Sequence, residues 1–500
     1  MPARLRLSLA VLACAAAQAA AAAEPATPIA IVGATVNDGN GGAAIGDATV
    51  LIDGARIRAV GPRASVSVPK GARVIDGASR FLIPGLIDTN VHLSLYGGVN
   101  ECYETLVRYH ARQEEIVLEA AQLALKRGIT TVRDSYGMLL PLVRVRDRIA
   151  RGEATGARIL AAGNIIGWGG PYSISFSLIR GQGLTRFQEE MNDFVAQGGG
   201  EELMNMSPAE LRTAINAYLD KGPDFVKYGG TSHFAEPTFI GFSPEAQRVL
   251  VEETHKRGRV AETHATTIEG LRLSIAAGID LIQHPEVVDG KEVPDDLVAL
   301  IREKDIVCSM LVNTMTGAAW QKHLKDKEEN ERKRREAEKT DDKKPSREKT
   351  AAERRREQDE LGVGLEVRRR NAQKLIRGDC RVTVGTDNYW AAAPELQRQP
   401  KPEAQDHGIG TILAIEGLVE LGMTPAQALA AATRNGAFAS RGGKDFGTIE
   451  AGKLADLVLL EADPLADIAN IRKVRMVMKE GREIDVTKLP EKRVLSSPQP

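Results

Sequence analysis

The chain has 500 residues, with 66 Lys or Arg set against 67 Asp or Glu and a formal charge of −1. With no surplus of cations to neutralise phosphates, the charge argues against a general affinity for nucleic acid. Only 4 % of residues are aromatic while Gly alone supplies 48, so the core must be built from small side chains, and the length is enough for one large unit plus an accessory one.

Residues 1–23 read as a targeting segment. Arg4 and Arg6 give a basic start, Leu7 to Ala23 is almost wholly small and apolar, and the run stops at Glu24-Pro25. This predicts a signal peptide and an exported, periplasmic or extracellular, mature chain. Cys102, Cys308 and Cys380 are too scattered for a disulfide framework and are expected to be buried small hydrophobes. No later segment reads as a membrane span.

Short strands follow at Ile29–Val32, Ala48–Ile52 and Arg56–Ala59, separated by turn-forming stretches. The C-terminal stretch has the same texture at Leu454–Leu460, Val474–Met478 and Gly481–Ile484. Neither piece is long enough for its own core. Residues 28–80 and 441–486 are therefore expected to form one composite β-sandwich, with residues 81–440 inserted between them.

The inserted body alternates strand and helix. Strands are predicted at Leu86–His92, Thr130–Asp134, Arg158–Ala162, Phe225–Tyr228, Val260–His264, Asp280–His284, Ile306–Leu311 and Arg381–Asp387. Helical patterns lie between them, for example Thr105–Lys126, Pro244–Arg257 and Ile268–Ala277. Eight such units make an α/β fold of the (β/α)8 TIM barrel type. A doubly wound open sheet is the alternative.

Polar residues close several of these strands: Asn90 and His92 on the first, Lys227 on the fourth, His264 on the fifth, His284 on the sixth and Asp387 on the eighth. A polar group at the end of a buried strand is costly unless it is paired or bound to metal. In a closed barrel all these ends meet at one mouth; in an open sheet they would be strung out. Asn90 and His92 are two residues apart on one strand, so both side chains can face the same way. Any one of the histidines alone would more often be a satisfied structural residue. Three imidazoles with a carboxylate at strand ends suit a borderline metal such as zinc. Lys227 is repelled by a cation as an ammonium, but as a neutral amine it can react with CO2 to give an anionic carbamate that bridges metals. The plainer alternative is a lysine paired with a nearby acid.

The segments FLIPGLIDTNVH (81–92), GITTVRDSYG (128–137), GARILAAG (156–163), AETHA (261–265), GIDLIQH (278–284), GTD (385–387), GMTPAQALAAATRN (422–435) and GTIEAGKLADLVLLEADPLADI (447–468) closely resemble the metal-dependent amidohydrolase superfamily. Within it the chain is most similar to the exported prolidase-like and imidazolonepropionase-like branch. The resemblance implies a (β/α)8 barrel with a composite β-sandwich and a site for one or two Zn2+ ions. His92 and Asp387 would then hold the first metal, His264 and His284 the second, and carboxylated Lys227 would bridge them.

Asn90 departs from the resemblance, since it stands where the family has the first His of an HxH pair and offers only a weak carbonyl oxygen. A weakened first site, a single metal at the second site and a loss of turnover are the three outcomes. Retained hydrolysis is favoured, because Lys227, Asp387 and the other histidines all remain. In such a mechanism Asp387 moves the proton from water to the leaving nitrogen. Tyr228 or His233 would steady the oxyanion, Tyr228 only if its strand has already ended.

Two long segments could shape the pocket. GNIIGWGGPYSISF (163–176) opens the connection that runs to residue 223. Residues 321–360 hold 15 Lys or Arg and 13 Asp or Glu, which predicts an exposed helical arm, broken near Pro345, that starts on the active-site face. A solvated hairpin is the plain expectation; a lid or a homo-oligomer contact is the alternative. The expected substrate is a small molecule with an amide C–N bond, a dipeptide such as Xaa-Pro or an N-acyl amino acid, with Arg180 available for its carboxylate. A lactone or cyclic-amide hydrolase and a secreted binding protein with a degenerate metal pocket are the alternatives.

Overall fold

A computed structural model describes residues 27–96, 99–170, 173, 184–232, 238–340, 363–390, 392–397 and 401–496. Eight parallel strands form the body: Leu86–Tyr96, Ile129–Asp134, Arg158–Ala161, Phe225–Gly229, Val260–His264, Leu281–Gln283, Val307–Met310 and Arg381–Val384. They are called strands one to eight here. Strands four to eight form one five-stranded sheet in sequence order, and strands one to three form a second with the short strand Asn388–Trp390 at its edge.

Backbone bonds also cross between the two sheets. The Ile166 N–H donates to the Lys227 carbonyl at 2.8 Å and the Gly229 N–H to the Ile166 carbonyl at 3.0 Å, which joins the segment after strand three to strand four. The Asp387 N–H donates to the Asn90 carbonyl at 2.8 Å, joining the segment after strand eight to strand one. The C-terminal ends of strands one, four, five, six and eight are thereby brought to one region.

The strand bounds fall within a few residues of those expected. Strand one runs further, to Tyr96, and strand eight stops at Val384, which leaves Asp387 in the turn beyond it. Strand six covers only Leu281–Gln283, so His284 follows it rather than closing it. The helix expected over 105–126 is divided into Val99–Tyr109 and Gln113–Lys126 by a 3-10 turn at His110–Arg112. Helices Pro244–Lys256 and Ile268–Ala277 start where Ser243 and Thr267 accept hydrogen bonds from the first turn, which satisfies donors that have no partner within a helix. Among the described residues no helix is long and apolar enough to cross a membrane.

Strands from both ends of the sequence meet in one hydrogen-bonded sheet. Phe81–Pro84 lies between Ile29–Val36, to which it is parallel, and Leu457–Leu460, to which it is antiparallel. Period-two alternation decides what each face covers. Leu457 and Leu459 enter a core with Ile31, Val50 and Met478, while Val458 and Leu460 join the larger core of the body. The central strand Leu457–Leu460 is therefore apolar at every position and buried on both faces.

The first half of the charged segment is a helix, Gly317–Thr340. Ion pairs four residues apart run along it, among them Lys322–Asp326 at 2.5 Å and Lys333–Glu329 at 2.7 Å, the four side chains of these two pairs each more than half exposed. Pro345 and the return segment lie outside the described residues. At its root, Lys327 donates to Glu366 at 2.5 Å, on helix Val363–Arg377. The exposed pairs along the helix contribute little to stability. Replacing 321–360 by a short glycine-serine loop is expected to leave a cooperative thermal melt, with Tm moved by no more than about 5 °C. An insoluble or non-cooperative variant would place the arm in the core packing.

Candidate metal centre

Strand alternation sets the site. Asn90 and His92 share one face of strand one, and both are buried. On strand four Lys227 is 1 % exposed, and its Nζ donates to the Ser135 hydroxyl at 3.2 Å. His264 closes strand five; its Nδ1 lies 3.0 Å from His284 Nε2. His92 Nε2 lies 2.7 Å from Asp387 Oδ1, which also accepts the Asn90 side-chain N–H at 3.1 Å. His284 and Asp387 have φ of 38° and 55°, left-handed backbone that costs about 1–3 kcal/mol in a residue other than glycine. Backbone donation holds both in place: the His284 N–H to the Ser309 carbonyl at 2.7 Å and the Asp387 N–H to the Asn90 carbonyl.

The Asn90 amide has one consistent orientation. A carboxylate only accepts, so the Asn90 amide must turn its N–H toward Asp387. Its oxygen is then left to the Ser135 hydroxyl, which donates to it. The oxygen assigned to a metal on sequence grounds is thus engaged by Ser135. Ser135 in turn accepts from Lys227, so a chain of hydrogen bonds links Lys227, Ser135, Asn90 and Asp387.

Electrostatics follow from burial. Desolvation lowers the proton affinity of Lys227, opposed by the carboxylates of Asp387, Glu262 and Asp134. The same desolvation would raise that of Asp387, but the charge and hydrogen bond of His92, then His284 and Lys227, outweigh it and hold the carboxyl well below its usual range. Burial pushes Asp134 up to about 6 against the pull of His92.

The donors present fit a metal ion. The 3.0 Å separation of the His264 and His284 nitrogens is slightly under the ~3.3 Å edge of a tetrahedron with Zn–N bonds of about 2.05 Å. His92 Nδ1 is buried without a hydrogen-bond partner. Among the described residues, however, no three His, Cys, Asp or Glu side chains form a ready metal cluster. The donors make two pairs, His92 with Asp387 and His264 with His284, and a carboxylated Lys227 would supply an anionic ligand to the His264–His284 pair, which has none, and link it to the other.

Tyr228 does not join them. Strand four continues through Gly229, so the condition for its use is not met and it points away from Lys227. It is fully buried, donates to Gln247 Oε1 at 3.1 Å and contacts the Phe242 ring. His233 and Arg180 lie outside the described residues. Of the cysteines, Cys308 and Cys380 are free and buried.

Several site residues escaped the sequence reading. Asp134 ends strand two and accepts the Leu93 N–H at 2.6 Å, while its Oδ1 is buried without a partner. The same strand-end signal that marked His264 was present in VRDSY. Tyr136 and Trp168 form an aromatic wall: Tyr136 packs edge-on to His92 with ring centroids 6.0 Å apart, and Trp168 to His264 at 4.7 Å. Gly229 makes room for this wall, since a Cβ there would lie 2.1 Å from the Trp168 ring nitrogen. Trp168 belongs to the glycine-rich segment that was expected above the mouth. Glu286 and Arg368 carried no signal of this kind.

The sequence matches the Amidohydrolase family over residues 81–484. Among solved structures, molinate hydrolase is 32 % identical and superposes with a TM-score of 0.81 over 95 % of this chain and 98 % of its own. Phenylurea hydrolase B is 30 % identical, also with a TM-score of 0.81, over 94 % and 100 %. Ochratoxinase of Aspergillus niger is 24 % identical over 234 residues, which is 45 % of this chain; the chain spans about half the length of that relative, 46 %.

Proposed function

This chain belongs to the amidohydrolase family, and we propose that it is a metal-dependent hydrolase that cleaves a C–N bond beside a carbonyl in a small acylated amine, with its strands arranged as a (β/α)8 barrel. The observation that carries this is the convergence of His92, His264, His284 and Asp387, with buried Lys227, at the C-terminal ends of separate strands. His264 and His284 would hold one Zn2+, and His92 and Asp387 would flank it or hold a second, with a carbamate on Lys227 between. When bound, the metal lowers the pKa of water and polarises the scissile carbonyl.

Asp387 is ionised at neutral pH and anchored by two donors, His92 and Asn90. It accepts a proton from the attacking water and returns it to the leaving nitrogen. Ser135 and Asn90 keep the Asp387 carboxylate fixed, so its geometry need not be reorganised during the reaction. Tyr136 and Trp168 wall the site on the side of strands two to five, exclude water and offer ring faces to an apolar part of the substrate.

The substrate class is a dipeptide or N-acyl amino acid. Molinate hydrolase and phenylurea hydrolase B favour a second reading, in which the carbonyl belongs to a thiocarbamate or a urea. Export of the mature chain is part of the proposal, since residues 1–23 have the composition of a signal peptide. The test is turnover of dipeptide, N-acyl-amino-acid, urea and lactone panels by purified protein before and after chelation. Activity is expected on at least one C–N panel, to be lost by more than about 100-fold on chelation and restored by Zn2+. Turnover indifferent to metal removal would overturn the proposal, and hydrolysis confined to lactones would replace the bond class.

A further inference from the structure

Three consecutive arginines, 368 to 370, lie on helix Val363–Arg377, just after the charged segment. Arg369 pairs with Glu420 at 2.8 Å, donates to the Met315 carbonyl and lies over the Trp320 ring. Arg370 pairs with Glu292 at 3.0 Å. Arg368 differs from both. Among the described residues its one polar contact is a long 3.5 Å approach to the Thr314 hydroxyl, and its Nε is buried without a partner. Three residues on, and so on the same helix face, Asn371 donates to the Glu286 carbonyl at 3.1 Å, and Thr314 follows the same strand end as Leu311, which bonds the Glu286 carboxylate, so the guanidinium lies on the Glu286 side of the helix.

Glu286 is the second unsatisfied group. It is fully buried, two residues beyond His284. Its Oε1 accepts the Leu311 N–H at 3.0 Å, which fixes the carboxylate across the ends of strands six and seven. Its Oε2 is buried and has no partner. Although Glu286 and Arg368 act on each other electrostatically, they do not come within ion-pair distance. Buried charges and buried polar atoms are normally paired. Here the buried Glu286 Oε2 and the buried Arg368 Nε each lack a hydrogen-bond partner among the described residues.

We propose that Arg368 and Glu286 form a substrate subsite that recognises the amino-acid end of the substrate, Arg368 taking its carboxylate and Glu286 Oε2 an N–H. This rests on the hydrolase reading above and narrows it: the acylated amine is an amino acid rather than a neutral amine. Arginine suits the role because its planar donors match a carboxylate. The subsite also gives the charged segment a connection to the site, since Lys327 of that arm holds Glu366 two residues before Arg368.

The test compares N-acetyl-L-phenylalanine with its decarboxylated analogue, N-acetylphenethylamine, on the zinc-loaded full chain. The native protein is expected to favour the carboxylate by kcat/KM, and Arg368→Met to reduce that preference about 10- to 100-fold, mainly through KM. Arg368→Lys, which keeps the charge and loses the planar fork, should recover part of it. Calorimetric binding of both compounds to the Asp387→Asn protein reads the same preference without turnover, and covers the case in which Arg368→Met fails to fold. Equal binding of the two compounds, or a preference unchanged in the arginine variants, would overturn the subsite. Metal-dependent turnover that favours the neutral compound would also overturn it while leaving the hydrolase reading intact.

Discussion

Lys227→Ala is expected to lose bound metal and nearly all turnover while remaining folded. The side chain is 1 % exposed and, among the described residues, its one hydrogen bond is to Ser135. A structural ammonium in this position would be a buried charge with no ion-pair partner at contact distance, which is an expensive arrangement. Burial instead favours the neutral amine, the form that reacts with CO2. Removing it takes away the anionic group that would link the two donor pairs and leaves them separate. Metal affinity should fall by well over the 10- to 100-fold typical of outer-shell changes. The measurement is metal content after gel filtration, alongside turnover. Short carboxylates such as acetate or propionate should restore part of both, because they can occupy the space of the carbamate. Full metal content in Lys227→Ala would remove the lysine from the centre. A 13C signal from labelled bicarbonate on the native protein would identify the carbamate directly.

Asp387→Asn should retain metal better than Lys227→Ala but lose about 10²- to 10⁴-fold in kcat, the range for removing a general acid–base group. His92 lies 2.7 Å from the carboxylate and Asn90 donates to it, so an amide at this position would face a second amide and could satisfy Asn90 only through its own oxygen. The His92 contact would then be to an amide nitrogen or a shared oxygen, and the ring would lose its charged partner. The effect should appear in kcat more than in KM, since the proton transfer belongs to the transition state rather than to substrate binding. Loss of KM alone, with kcat intact, would reassign Asp387 to substrate positioning. Its left-handed φ of 55° is one that Asn tolerates well, so strain is not an alternative cause of the loss.

These two residues illustrate what local pattern can and cannot carry. Strand alternation and the placement of polar residues after apolar runs marked Asn90, His92, Lys227, His264, His284 and Asp387, because a two-residue period decides which side chains share a face wherever the strands go. The same rule contained the correction for Tyr228. As the neighbour of Lys227 on an unbroken strand it faces the opposite way, toward Gln247. Only the end of the strand was misjudged, and strand ends are set by pairing with Val260–His264 rather than by local sequence.

The sequence by itself determined the alternating body, the strands contributed by both chain ends and the identity of the strand-end donors, since each rests on periodicity and turn chemistry within a few residues. Tertiary structure alone decided how those donors are used. The Asn90 amide is turned by Ser135 and Asp387, which are 45 and 297 residues away. Trp168 reaches His264 because Gly229, on the neighbouring strand, has no side chain. Arg368 approaches Thr314, on the helix face from which Asn371 bonds the Glu286 carbonyl, while the two arginines that follow it take partners elsewhere, although RRR is uniform in sequence. A hydrogen bond or an ion pair needs its partner within about 3–4 Å, and no local pattern records which distant carboxylate, hydroxyl or glycine the chain will bring there.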